Sequence, residues 1–417
     1  MDQQEFQKHY LAFQKGKISR RRFMEATGLA TAAAVIAACA PASSSSSAPT
    51  TAPATAAPAT AAPASDAPAT EAAATMDPYA DWTPPQGVDL GKELYLTTWP
   101  NYHGPDTLQT FTDLTGVKVN LTIFGSNEEM LAKLQAGGTG WDVLVPTNYT
   151  FETYGALKLL EPLDLAKLPR FDASRYEARF LEPAHYPAGS SDLLGINKDW
   201  GTTGFAINTE FVTKPMTSWK DYFDLLRTDY SGKTTIHDYQ LTGIGNALKY
   251  FGYSFNSMDP AELAKAEELL VDAKKHFFAI TSDYQPPMRN KDAWVTMCWT
   301  GDGFQMNKDI PSIKYVIGSE GGEIWSDFFA VIADAPHREA AYAFIDYMAT
   351  PKVCAKDAEY HGSAVVDEVA TGLLPASITG NPIIYPDDAL LSPLEFGAAV
   401  TLTDPNRAEI WARFKSA

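Results

Sequence analysis

From residue 93 to residue 348, short apolar runs alternate with amphipathic stretches that carry helix caps. That alternation confines the folded part of the chain to the α/β class. Glu93 to Thr98 reads as a strand, and Asp106 to Leu114 as a helix stopped by Gly116. Val117 to Phe124 is again a strand. Ser126-Asn127-Glu128-Glu129 is a capping box that opens a helix to Gln135, ended by Gly137-Gly138. Asp142 to Val145 reads as a buried strand closed by Pro146. A second series starts near Gly204, with strands at Gly204 to Asn208 and Thr234 to His237 and a helix capped by Ser218 between them. Asp259-Pro260 starts a long helix with proline at its first position. Val295 to Trp299, Ile313 to Ile317 and Phe328 to Ile332 follow as strands. Arg338 to Met348 is a helix that stops before Pro351. No internal repeat accompanies the two series.

The chain ahead of this region says where it works. Ser19-Arg20-Arg21-Arg22-Phe23-Met24 precedes an apolar run from Ala26 to Ala38, the layout of a secretory signal. The pair Arg20-Arg21 points to twin-arginine export, with general secretion as the other route. The run falls short of the ~20 apolar residues that a spanning helix needs. It ends in Ile36-Ala37-Ala38-Cys39, which resembles a lipobox, so residues 1–39 read as a lipoprotein signal with Cys39 as the lipidated residue. From residue 40 to about 76 the chain holds almost nothing but Ala, Pro, Ser and Thr, too little apolar surface to offset the entropy of ordering it. The expected disordered tether covers residues 40–90.

About 340 residues follow the Ala/Pro/Ser/Thr tract, enough for two lobes. The whole sequence has 33 basic and 51 acidic residues; without the six and three that precede Cys39, 27 stand against 48, a net charge of −21. This balance argues against nucleic acid or an anionic membrane surface as partner and suits a cationic ligand. Beyond Cys39, two cysteines remain. Cys298 and Cys354 both sit in apolar contexts, so free thiols are expected rather than a disulfide.

No catalytic constellation emerges. The seven histidines, at 9, 103, 185, 237, 276, 337 and 361, show no metal-ligand spacing, and neither a metal nor a cofactor is expected. No G-x-S-x-G elbow occurs. Gly232-Lys233-Thr234 imitates the end of a phosphate loop, but Arg227 stands where its first glycine belongs. Gly243-Ile244-Gly245 lacks the third glycine of a dinucleotide fingerprint. Carboxylate pairs keep an extracellular glycoside hydrolase open as the enzymatic alternative.

Leu94-Tyr95-Leu96-Thr97-Thr98-Trp99-Pro100-Asn101-Tyr102, then Phe111 to Val119, resembles the opening of the spermidine/putrescine-binding proteins of ABC importers. The likeness continues through Gly125 to Met130, Tyr149, Trp200 to Gly204, Thr217-Ser218-Trp219 and Trp299-Thr300-Gly301, and closes at Gly321 to Asp327. The resemblance implies a type II periplasmic-binding fold, with two α/β lobes joined by crossover hinge segments. Residues 91–202 and 327–372 would form the first lobe, and 203–326 and 373–417 the second. It also implies a monomeric, non-enzymatic protein that hands a polyamine to an ABC permease and ATPase. Carried over, the aromatic box would be Trp99, Tyr102, Tyr149, Trp299 and Trp325, with Asp327 accepting an ammonium. Ammonium groups joined by methylenes need carboxylates at the charges and aromatic faces along the stem.

One departure affects the ligand. Where the family carries an acidic pair after the strand ending at His237, this chain has Tyr239 and Thr242, with Asp238 one position earlier. The second amine would then need Asp238 or Asp302. Putrescine, spermidine and a cation with a different far end all stay open, as does a sugar, thiamine or metal-loaded anion on the same fold.

Overall fold

The computed structural model describes residues 81–417 apart from 138 and 139. The expected export signal with Arg20 and Arg21, the expected lipidation residue Cys39, and the expected tether as far as residue 80 lie outside the described residues. The end of the expected tether is corrected. Trp82 is buried against Phe111 and Tyr347, and its indole donates to Asp346 Oδ2 at 2.9 Å. Leu90 is buried as well. An indole excluded from water with its N–H satisfied belongs to a core.

Strands β1 (Glu93–Thr98), β2 (Lys118–Ile123) and β3 (Val143–Leu144) are parallel, in the order β2-β1-β3. Helices α1 (Pro105–Thr115) and α2 (Asn127–Gln135) make the crossovers. Both expected caps are present: Gly116 takes φ 73° at the end of α1, and the Ser126 side chain accepts from Glu129 N at the start of α2. The second series repeats the plan. β5 (Thr234–Ile236), β6 (Phe277–Ile280) and β7 (Val295–Trp299) are parallel in the order β6-β5-β7. Around them lie α3 (Trp219–Leu226), α4 (Gln240–Tyr250) and α5 (Pro260–Ala273). In this half, Phe205, Trp219, Tyr222, Ile244 and Leu270 pack with Trp411 of the C-terminal helix.

Two long strands join the halves. β4 (Ile196–Asn208) and β9 (Gly322–Val331) pair antiparallel from Ile196↔Phe329 to Thr203↔Glu323. β9 also pairs with β3, and β4 with β7 and with β8 (Ile313–Val316). Each half is thus three parallel strands closed by one antiparallel strand. Both joining strands are longer than the expected 204–208 and 328–332. All their residues are buried, and much of the added length is polar.

After β9, helices α6 (Thr300–Asp309) being already in place behind β7, the chain forms α7 (Arg338–Met348) and α8 (Pro351–His361). Leu374, Ile378 and Ile384 then bury with Phe180, Ala355 and Ala358. The chain therefore leaves this cluster later than the expected boundary at 372. β10 (Leu394–Phe396) adds to β9, and α9 (Pro405–Ser416) packs on the second half. Cys298 and Cys354 are free, the first buried and the second half-buried. Among the described residues no helix is long and apolar enough to cross a membrane.

Candidate functional site

A cleft with about 470 Å³ of empty space, part of it open to solvent, lies where the two halves meet. Its walls come from strand ends, because a strand leaving the sheet must expose its last side chains to the crevice beyond. β1 delivers Trp99 and Tyr102, and β7 delivers Trp299, with Asp302 in the first turn of α6. On β9 successive side chains alternate between faces, so Glu323, Trp325 and Asp327 share the face that lines the cavity. Gly201 on β4 permits this: a Cβ there would lie 2.5 Å from Trp325 Cζ2. Asn101, also lining the cavity, holds the left-handed φ of 56°, uncommon outside glycine and a mark of a fixed local geometry.

The aromatic walls touch one another. Trp99 meets Trp299 edge-on at 5.4 Å between centroids and donates from Nε1 to Val145 O at 3.1 Å. Tyr239 lies 5.8 Å from Trp99 and 6.5 Å from Trp299. Tyr149 stands one layer back; its hydroxyl lies 2.7 Å from that of Tyr239, to which Asn127 Nδ2 also donates at 2.9 Å. Of the expected residues, the structure brings Trp99, Tyr102, Tyr239, Trp299, Asp302, Trp325 and Asp327 to the cavity, and not Tyr149 or Asp238. Asp238 is corrected outright. It pairs at the surface with Lys415 Nζ at 2.7 Å, because the residue before Tyr239 points the opposite way on extended backbone.

The acids divide by partner. Asp302 takes three donors: Tyr284 Oη at 2.6 Å, Asn101 Nδ2 at 3.3 Å, and Gln285 Nε2 as well. Asp327 is buried, and its Oδ1 has no hydrogen-bond partner among the described residues. Tyr102 Oη lies between Asp327 Oδ2, at 2.8 Å, and Asp199 Oδ1. A phenol has one proton and donates to one acceptor, so the second contact requires a carboxyl proton. Burial and the facing Asp199 accordingly push the Asp327 pKa upward. Behind Tyr102, Lys198 Nζ lies 2.9 Å from Asp199, 3.6 Å from Asp357 and 3.9 Å from the centre of the Tyr102 ring. Burial raises Asp357, but His103 and Lys198 outweigh it and hold the carboxyl well below its usual range.

Glu323, Lys198 and Asp199 were not expected. The signal for Glu323 was available: it precedes Trp325 by two and Asp327 by four, which is one strand face. It was lost because the expected strand began only at Phe328, whereas β9 starts at Gly322. Among the described residues no cluster of three metal-ligating side chains occurs.

Comparison with known proteins places this architecture. The family model of bacterial extracellular solute-binding proteins matches residues 106–381, and the chain belongs to that family. It is a family of binding proteins, not of enzymes. The chain is 29% identical over 345 residues to the putrescine-binding periplasmic protein PotF of Escherichia coli, covering 78% of this chain and 92% of that one. It is 30% identical over 303 residues to the spermidine/putrescine-binding periplasmic protein of the same organism, covering 72% and 85%. A Listeria monocytogenes structure assigned to spermidine/putrescine ABC transport matches with TM-score 0.71 at 28% identity, covering 78% of this chain and 99% of that one. The fold is the mixed α/β fold of periplasmic solute-binding proteins.

Proposed function

We propose that the chain captures a polyamine in this cavity and presents it to the permease and ATPase of an ABC importer. The observation that carries the reading is Asp327, a buried carboxyl with one unpartnered oxygen beside Trp325. Burying an acid without a counter-charge is costly, and an ammonium removes that cost while its methylenes pack on indole. The relatives' names point to the same ligand class. Trp99, Tyr102, Tyr239, Trp299 and Trp325 would supply the aromatic box, with Tyr149 bracing Tyr239. Cys39 would tether the domain to the membrane after export by the Arg20-Arg21 signal, and residues 40–80 would give it reach. Replacing Cys39 by Ser should abolish fatty-acid labelling and leave ligand affinity unchanged.

Thermal melts with a panel of amines, sugars and thiamine test the ligand class. A ligand at 100 times its Kd stabilises the folded state by about 2.7 kcal/mol. Putrescine or spermidine should raise the melting temperature; a shift with sugars or thiamine alone would overturn the reading.

A further inference from the structure

Glu323 is 1% exposed and lines the cavity, yet among the described residues its carboxylate accepts from one group, Thr203 Oγ1, at 2.5 Å. No basic residue among those described lies within ion-pair distance of it. The titratable groups that act on it or feel it are Glu128, Tyr149, Tyr239 and Tyr315, all acids. The buried guanidinium of Arg407 acts on Glu128 and Tyr149, and donates to the carbonyls of Phe255 and Ser257. Asp302, the other cavity acid, already takes three donors. Two acids therefore stand open toward the cavity, Asp327 and Glu323, and Trp325 lies between them on the same face of β9.

We propose that Glu323 is a second ammonium-binding carboxylate, and that with Asp327 on the far side of Trp325 it selects a linear cation with two or more ammonium groups over a monoamine. The inference rests on the amine-binding reading of the cavity. Four strand residues at ~3.3 Å each put the two Cα atoms ~13 Å apart. With a hydrogen bond of ~2.8 Å at each end, a linear cation carrying two or more ammonium groups spans that distance with its methylenes over the indole, whereas a monoamine engages one carboxylate only. Glu323 thus occupies the role that the missing acidic pair after β5 leaves vacant, from a different strand.

Titration calorimetry of the wild type and Glu323→Gln with spermidine, putrescine and butylamine at about pH 8 tests this, a pH above the value of about 7 to which burial raises Glu323. The variant keeps the acceptor for Thr203 and removes a buried uncompensated charge, so its melting temperature should not fall. Spermidine affinity should drop about 10- to 100-fold, and butylamine affinity, which reads the Asp327 end, should change less than about 3-fold. An unchanged ratio of spermidine to butylamine affinity in the variant would overturn the Glu323 assignment and leave the amine reading standing. If wild-type protein binds none of the three amines, the amine reading falls, and the assignment with it.

Discussion

The buried acids on the two sides of Tyr102 meet opposite circumstances. Asp199 and Asp357 have Lys198 at 2.9 and 3.6 Å, a cation supplied by the fold itself. On the cavity side, Asp327 has an unpartnered oxygen and Glu323 a single hydroxyl. The same phenol separates them, taking the Lys198 ammonium against its ring and turning its hydroxyl between Asp199 and Asp327. The difference teaches how a cation site is told from a structural ion cluster. Both are buried and acidic, and only the structural one contains its counter-charge. Overall negative charge separates them no better, since −21 beyond Cys39 is spread across the whole domain.

The largest effect is expected on the compensated side. Lys198→Met would leave Asp199 and Asp357 buried without their cation, and breaking one partner of a buried pair costs about 3–5 kcal/mol. Denaturant unfolding should show that loss. A stability within about 0.5 kcal/mol of wild type, the range of ordinary surface changes, would mean that Lys198 is no counter-ion and that the contrast is unreal.

Asp327→Asn attacks the other side and should spare stability, because burial and the facing Asp199 already disfavour the ionised carboxyl in the empty protein. A carboxylate and an ammonium ~4 Å apart attract by roughly 4 kcal/mol at an effective dielectric of ~20, before desolvation is subtracted. The net loss in diamine binding should be about 2–4 kcal/mol, or roughly 30- to 1,000-fold by calorimetry. Wild-type affinity in this variant would remove Asp327 from the site.

Trp325→Ala is expected to act less strongly, weakening binding by about 1–3 kcal/mol through lost stacking and cation–π contact. Its indole Nε1 is buried without a hydrogen-bond partner, so no polar contact is broken. If the variant folds and binds as wild type does, Trp325 is a wall of the core and not of the site.

Much of this site could be read from sequence where a strand announced itself. Trp99 and Trp299 follow apolar runs that break at Pro100 and at Thr300-Gly301, which places them at strand ends without any relative. Asp327 and Trp325 came through resemblance alone. The joining strands were the blind spot. Ile196 to Thr203 reads Ile-Asn-Lys-Asp-Trp-Gly-Thr-Thr, with neither an apolar run nor alternation, yet every residue is buried. A strand flanked on both edges and covered on both faces can bury polar side chains when each finds a partner, as Lys198 and Asp199 find one another. Hydrophobic periodicity cannot detect such a strand, and Lys198 and Asp199 were lost with it. Asp238 erred in the opposite sense: on a loop after β5, no period says which way one residue points, and Lys415 lies 177 positions away.

The smallest expected effect is the one that separates the two sides by pH. Burial raises Glu323 from 4.5 to about 7, with the charge of Glu128 adding to the shift. A carboxyl raised in the folded state holds its proton there after the unfolded chain has released it. Its contribution to stability is therefore fully present below about 4.5 and lost as pH rises through about 7. The free protein should lose stability across that window, and Glu323→Gln should flatten the loss. Glu128, also raised to about 7 by burial, titrates in the same range, so only the difference between wild type and variant is informative. Binding carries the opposite sign. An ammonium favours ionised Glu323, so affinity for a long cation should rise with pH toward about 7, and protons should leave on binding below it. Calorimetry in two buffers of unlike ionisation enthalpy counts those protons. A variant that releases as many protons as wild type would show that the cation never meets Glu323, and that this acid belongs with the structural ones.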